Sequence, residues 1–267
     1  MSRIEAAFKA LAERGETGLI AFLTAGYPDP DATLTLVPAL VEGGADVIEL
    51  GIPFSDPLAD GVTIQRSTFQ ALRQGVTPAT CLGLVRHLRA AGCEAPIALM
   101  GYYNPIMSYG AAAFVRDAAA AGSDGLIVID LPPEEASELI AACRESGLDH
   151  IPLVAPTSSD SRIETLVADA SGFVYCVSVT GVTGVRTSMP EELASFVKRV
   201  RSKTPLPIAV GFGISSREHF LSVREIADAA VIGSAIIQEI ERAAPAEREE
   251  RVRQYVEVVT GRRRTAV

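Results

Sequence analysis

At 267 residues with 48% of them hydrophobic, the chain carries ample apolar material for a large core. Its net charge of −9, from 33 acidic against 24 basic residues, argues against nucleic acid or an anionic membrane as the main partner. No apolar stretch approaches the ~18 residues of a membrane span, and the start MSRIEAAFKALAERG has no signal-peptide core. Cys81, Cys93, Cys143 and Cys176 form no CxxC pair and sit in apolar contexts, as reduced core residues of a cytoplasmic protein would. The basic run at 261–264 reads as a short solvated terminus.

The spacing predicts an opening helix over residues 2–14. A regular pattern follows: a short apolar or β-branched run, a Gly/Pro/Asp punctuation, then an amphipathic helix. Strands are expected at 19–26, 46–52, 96–102, 125–131, 151–155, 172–179, 207–213 and 229–234. Helices fall between them, for example at 31–42, 77–91, 134–146 and 190–203, the last with Ser188 as its N-cap. Eight alternating strand–helix units imply parallel strands with right-handed crossovers. In a chain of this length they fit an α/β fold, a single (β/α)8 TIM barrel with an extra N-terminal helix, as one domain over 1–267. An open doubly wound sheet is the alternative.

In such a barrel the site lies where strands run into their following loops. The connections after the second strand (53–76) and the sixth (180–189) are long, while those at the opposite end, such as 91–94 and 146–148, are short. Elimination narrows the chemistry. Lys9, Lys198 and Lys203 lie on or beside helices, which excludes a Schiff-base lysine at a strand end. His87 and His219 fall on outer helices and His150 just before the fifth strand, so they form no metal set; no HxH or HExxH occurs. No serine sits in a nucleophile elbow. Carboxylates remain.

Residues 48–61 read IELGIPFSDPLADG. Glu49 interrupts an apolar strand, and an unpaired buried charge is costly. It is either a structural carboxylate held by an arginine or backbone donors, or a group the protein uses. Alternation puts Val47, Glu49 and Gly51 on one side and Ile48 and Leu50 on the other. With the latter facing the helices, Glu49 points into the lumen, where desolvation raises its pKa and suits it to acid/base work. Asp60, in the following loop and partly wetted, is expected to stay ionised. The glycines of 210–215 and 232–234 end the seventh and eighth strands, the usual phosphate seat of this barrel. The loop 178–184 has the composition of a lid. Phe22, Met100, Tyr102, Ile127, Leu153, Tyr175 and Phe212 are expected lumen residues, core or the walls of a pocket for a flat aromatic substrate.

In order along the chain, IELGIPFSDPLADG, Thr63–Ile64–Gln65, MGYYNPI at 100–106, Asp130–Leu131–Pro132, GVTG at 181–184, GFGIS at 211–215 and IGSA at 232–235 resemble the tryptophan synthase α chain family over essentially the whole sequence. The resemblance implies a cofactor-free retro-aldol cleavage of indole-3-glycerol phosphate to indole and glyceraldehyde 3-phosphate. It implies Glu49 as the acid/base residue, Asp60 as the acceptor of the indole N–H, and Thr183 in the lid as the residue orienting Asp60. Phosphate contacts carry over to Gly184, Phe212, Gly213, Gly233 and Ser234, and the indole pocket to Phe22, Met100, Ile127 and Tyr175. It further implies docking through Pro53, Asp56, Asn104 and Pro132 to a pyridoxal-phosphate-bearing β chain, as an α2β2 heterotetramer, with no pyridoxal phosphate on this chain. Val62 stands where the family usually has proline, and Met100 and Ile129 depart from common pocket residues. Other readings are a stand-alone indole-3-glycerol-phosphate lyase, another phosphate-binding barrel such as a sugar-phosphate epimerase or indole-glycerol-phosphate synthase, and a non-catalytic regulatory barrel. Missing metal ligands and lysines argue against the second of these, and intact Glu49 and Asp60 against the third.

Overall fold

A computed structural model describes residues 1–177, 191–211 and 213–262. The expected lid 178–184, with Thr183 and Gly184, and also Ser188 and Phe212, lie outside the described residues. Among the described residues one parallel sheet is built from β1 (Gly18–Thr24), β2 (Val47–Gly51), β3 (Ile97–Gly101), β4 (Gly125–Val128), β5 (Asp149–His150), β6 (Leu153–Val154), β7 (Val174–Val177), β8 (Ile208–Gly211) and β9 (Ala229–Ile232). Its order is β5-β4-β3-β2-β1-β9-β8-β7-β6. The two ends of this order are two halves of one extended segment. The Ile151 N–H donates to Leu126 O on β4, while Pro152 O accepts from the Tyr175 N–H on β7. Pro152 has no N–H to continue either ladder, so the segment changes neighbours there and the sheet closes into a TIM barrel. The expected fifth strand at 151–155 is therefore split and begins earlier, and His150 lies within β5 rather than ahead of the sheet.

Side-chain alternation divides the barrel residues into two apolar groups. Ile48 and Leu50, with Leu23, Leu99 and Val210, pack outward against the helices. Val47, Ile20, Ala98, Ile127, Tyr175, Ala209 and Val231 fill the lumen. The opening helix α1 (Arg3–Arg14) joins the second group: Ile4, Phe8 and Leu11 are buried there, and the Phe8 ring lies 5.5 Å from Phe173. It plugs the strand-entry end. Ser2 caps it by accepting the Glu5 N–H, and Gly15 ends it in the left-handed region at φ 64°.

The outer helices are α2 (Pro30–Glu42), α3 (Val62–Arg73), α4 (Pro78–Ala90), α5 (Tyr103–Tyr109), α6 (Ala111–Ala121), α7 (Ser137–Ser146), α8 (Asp160–Ala168), α9 (Glu191–Arg201), α10 (Arg217–Val223), α11 (Ser234–Arg242) and α12 (Arg248–Thr260). Several starts follow from local chemistry: Asp29 caps α2 ahead of Pro30, and Thr77 with Thr80 forms a capping box on α4. The segment 53–76, expected as one long loop, contains α3. Its N-cap Gly61 offers no side-chain acceptor and its first turn is β-branched, so the local start signals are missing. Burial of Thr63, Ser67, Thr68 and Ala71 holds it, and Ser67 hydrogen-bonds Thr24 on β1 at 2.7 Å.

Candidate active site

Glu49 sits on β2 between Phe22 of β1 and Ala98 of β3. It is 1% exposed, and its Oε2 has no hydrogen-bond partner. Burial, reinforced by the Asp60 charge, pushes its carboxyl up to about 8. Neither an arginine nor a backbone donor meets that oxygen among the described residues, as the structural reading would require.

Asp60 closes the β2–α3 loop. The Gln65 side chain donates to its carbonyl at 2.8 Å, and its own N–H donates to Pro57 O at 3.1 Å. Its carboxyl is more deeply set than a wetted loop position implies: burial raises it to about 6, held back by a hydrogen bond from the Tyr102 hydroxyl. At neutral pH it is mostly ionised while Glu49 is mostly protonated. Both carboxyls are shifted upward, Glu49 further than Asp60. Across the lumen on β7, the Tyr175 phenol is raised well above its ordinary value by burial and by the charges of Glu49 and Asp60. The three groups thus meet at the strand-exit end.

Glycines shape the space around them. A Cβ on Gly51 would come within 2.6 Å of the Phe22 ring, and one on Gly211 within 2.4 Å of the Tyr175 hydroxyl. Each aromatic lies over a neighbouring strand that must lack a side chain at that point. Ile127 is fully buried and Met100 partly buried with Tyr175 in the same lumen, and Phe22 lies beside Glu49 on the neighbouring strand. Gly233 and Ser234 begin α11 beside the end of β8, and Gly213 follows β8 with φ 56°. Gly233 gives α11 no side-chain cap, which leaves its first-turn N–H groups free to meet an anion at the barrel mouth.

The expected docking residues separate. Asp56 and Asn104 are exposed and Pro132 is partly exposed, but Pro53 is buried inside the chain. His87 and His219 lie on α4 and α10, and among the described residues no group of His, Cys, Asp or Glu could hold a metal ion. Two features had no expectation attached to them: the contact of Tyr102 with Asp60, and the glycines beneath Phe22 and Tyr175. Tyr102 shares strand parity with Met100, which was the one available signal.

The sequence matches the tryptophan synthase alpha chain family over residues 8–266. The chain belongs to that family. A tryptophan synthase alpha chain from Roseiflexus castenholzii is 52% identical, covering 98% of this chain and all of that protein. Among solved structures, the tryptophan synthase subunit alpha of Legionella pneumophila matches with TM-score 0.90 at 37% identity over 98% of each chain. A Mycobacterium tuberculosis tryptophan synthase chain matches with TM-score 0.90 at 38% identity over 99% of each. The family carries out the α reaction of tryptophan synthase, the carbon–carbon lyase step that releases indole from indole-3-glycerol phosphate in L-tryptophan biosynthesis, and this chain is that enzymatic subunit. Its family partner is a tryptophan synthase β chain. No helix among the described residues is long and apolar enough to cross a membrane.

Proposed function

We propose that Glu49 is the acid/base residue of the α reaction and Asp60 its electrostatic partner. The observation that carries this reading is the unpartnered, buried Glu49 carboxyl in the lumen, held protonated near neutrality within the field of Asp60. Protonated Glu49 donates to indole C3, and the positive charge that develops on the ring nitrogen is met by the Asp60 carboxylate. The Glu49 carboxylate so formed takes the glycerol hydroxyl proton. The C–O bond becomes a carbonyl as the bond to C3 breaks, releasing indole and glyceraldehyde 3-phosphate and restoring protonated Glu49. Asp60 contributes more at the transition state than in the bound substrate, because the nitrogen is charged only there.

Phe22, Met100, Ile127 and Tyr175 wall the indole ring, and Gly213, Gly233 and Ser234 seat the phosphate against the first turn of α11. Thr183, Gly184 and Phe212 keep the roles that the family resemblance implies. Asp56, Asn104 and Pro132 contribute to docking of the β chain in an α2β2 heterotetramer, with pyridoxal phosphate only in the β chain. The reading also takes residues 1–267 as one domain and the protein as cytoplasmic. In the test, Glu49→Gln protein loses indole release by about a thousandfold or more while inorganic phosphate still binds. Turnover near the wild-type rate in that variant removes Glu49 from the mechanism.

A further inference from the structure

Tyr102 stands directly after β3 and before α5, buried at 5% exposure, on the lumen side of the strand. Its hydroxyl accepts the Ala59 N–H at 2.9 Å, which leaves its own proton to face the neighbouring Asp60 carboxyl and hold that group's acidity against burial. A phenol has one proton, so both of its directions are used on consecutive residues of a single loop. The ring is fixed from the other side by Phe54, whose centroid lies 5.2 Å away at a tilt of 36°. Residues 54, 59 and 60 of the β2–α3 loop are thus gathered on one side chain from the neighbouring strand. The bonds of its N–H to Pro57 and of its carbonyl to Gln65 set where Asp60 starts, and Tyr102 is the side chain that favours its ionised carboxyl.

We propose that Tyr102 is a positioning residue for Asp60, pinning its carboxylate in the ionised form and in the orientation that faces the substrate nitrogen. This rests on the reading of Asp60 as the acceptor of the indole N–H. Three other titratable groups face this cluster: Glu49 on β2 and Tyr175 on β7, both in the field of Asp60, and Asp130 after β4, in the field of Tyr102. None of them supplies positive charge to Asp60, and Glu49 is neutral over the working range. The Tyr102 hydroxyl is therefore the group that favours the ionised carboxylate, and its removal lets burial raise Asp60 further.

The test is Tyr102→Phe, which keeps the ring on Phe54 and exposes the Ala59 N–H to water. Indole release is measured against pH for the chain alone and in complex with its β chain. The expected result is a kcat lower by about tenfold at pH 6, KM for indole-3-glycerol phosphate within about twofold, and an acid limb moved to higher pH; the alkaline limb set by Glu49 stays in place. In an Asp60→Asn background the same change costs nothing further, because the group it positions is gone. An unshifted acid limb in Tyr102→Phe, or a full additive loss in the double variant, overturns the inference. If Asp60→Asn alone keeps the wild-type kcat, the role of Asp60 falls and this inference falls with it. A strongly impaired Asp60→Asn beside an unaltered Tyr102→Phe overturns only the role of Tyr102.

Discussion

On the proposed assignment, two carboxyl groups with raised but unequal proton affinities set the pH behaviour of this enzyme. Asp60 must be ionised, and it gains its proton as pH falls through about 6. Glu49 must carry its proton, and it loses it as pH rises through about 8. The expected kcat/KM profile is a bell between those values, and a flat profile from pH 5 to 9 contradicts the assignment. The same burial appears in stability. Folding raises the Glu49 pKa, so the stability linked to its proton is complete below the unfolded value near 4.5 and is lost as pH rises through about 8. Glu49→Gln removes that loss, and urea unfolding at pH 9 is expected to show a variant more stable than wild type by on the order of a few kcal/mol. Equal stability of the two proteins at pH 9 contradicts a buried carboxyl at this position.

At the scale of elements, the strand-entry end is held by a repeated aspartate device. Asp46, Asp124 and Asp228 each precede a strand and accept an N–H from the opening two residues of the neighbouring strand, from Leu19 at 2.8 Å, Ile97 at 2.7 Å and Ile208 at 2.7 Å. Each also meets an arginine: Arg262 for Asp46, Arg89 and Arg3 for Asp124, and Arg201 for Asp228. The Asp124–Arg89 pair is nearly dry, with side-chain exposures of 5% and 12%. Removing one partner strands the other, so Asp124→Ala is expected to lower stability in urea by about 3–5 kcal/mol while leaving indole release by the folded protein unchanged. A loss below about 1 kcal/mol places that pair among the weak surface bridges. The plug helix α1 gives a second check: Phe8→Ala empties space beside Phe173 and is expected to cost about 3–5 kcal/mol, read by the urea midpoint, again without a change in KM.

For the whole molecule, two exposed apolar side chains at the strand-exit end put the proposed docking of a β chain to the test. Leu58 is 93% exposed beside Asp56, and Met107 is 56% exposed one turn after Asn104 on α5. Met107 makes no part of the lumen. Met107→Asp is expected to weaken association with a β chain by about tenfold or more in titration calorimetry, and to leave indole release by the chain alone unaltered. Unchanged affinity excludes the α5 face from the interface. Mixing the chain with a β chain tests partner and stoichiometry together: a shift on size-exclusion chromatography to an α2β2 mass, with faster indole release, is expected.

Much of this was written in local pattern. Period-two alternation around Glu49 put Ile48 and Leu50 against the helices and the carboxylate in the lumen, because a strand cannot place neighbouring side chains on one face. The sequence has no lysine at any expected strand end and no histidine set there, which left carboxylates as the candidate acid/base groups. Three matters needed the tertiary structure. Closure depends on Pro152 interrupting a strand so that its halves pair with β4 and β7, which is a long-range choice with no local signature. The start of α3 lacks a capping side chain and is held by burial against β1. The proton affinity of Asp60 is raised first by burial and then held back by Tyr102, 42 residues away in sequence, so no loop composition could reveal it. Sequence periodicity determines which side of an element faces inward; only the closed barrel determines what it meets there.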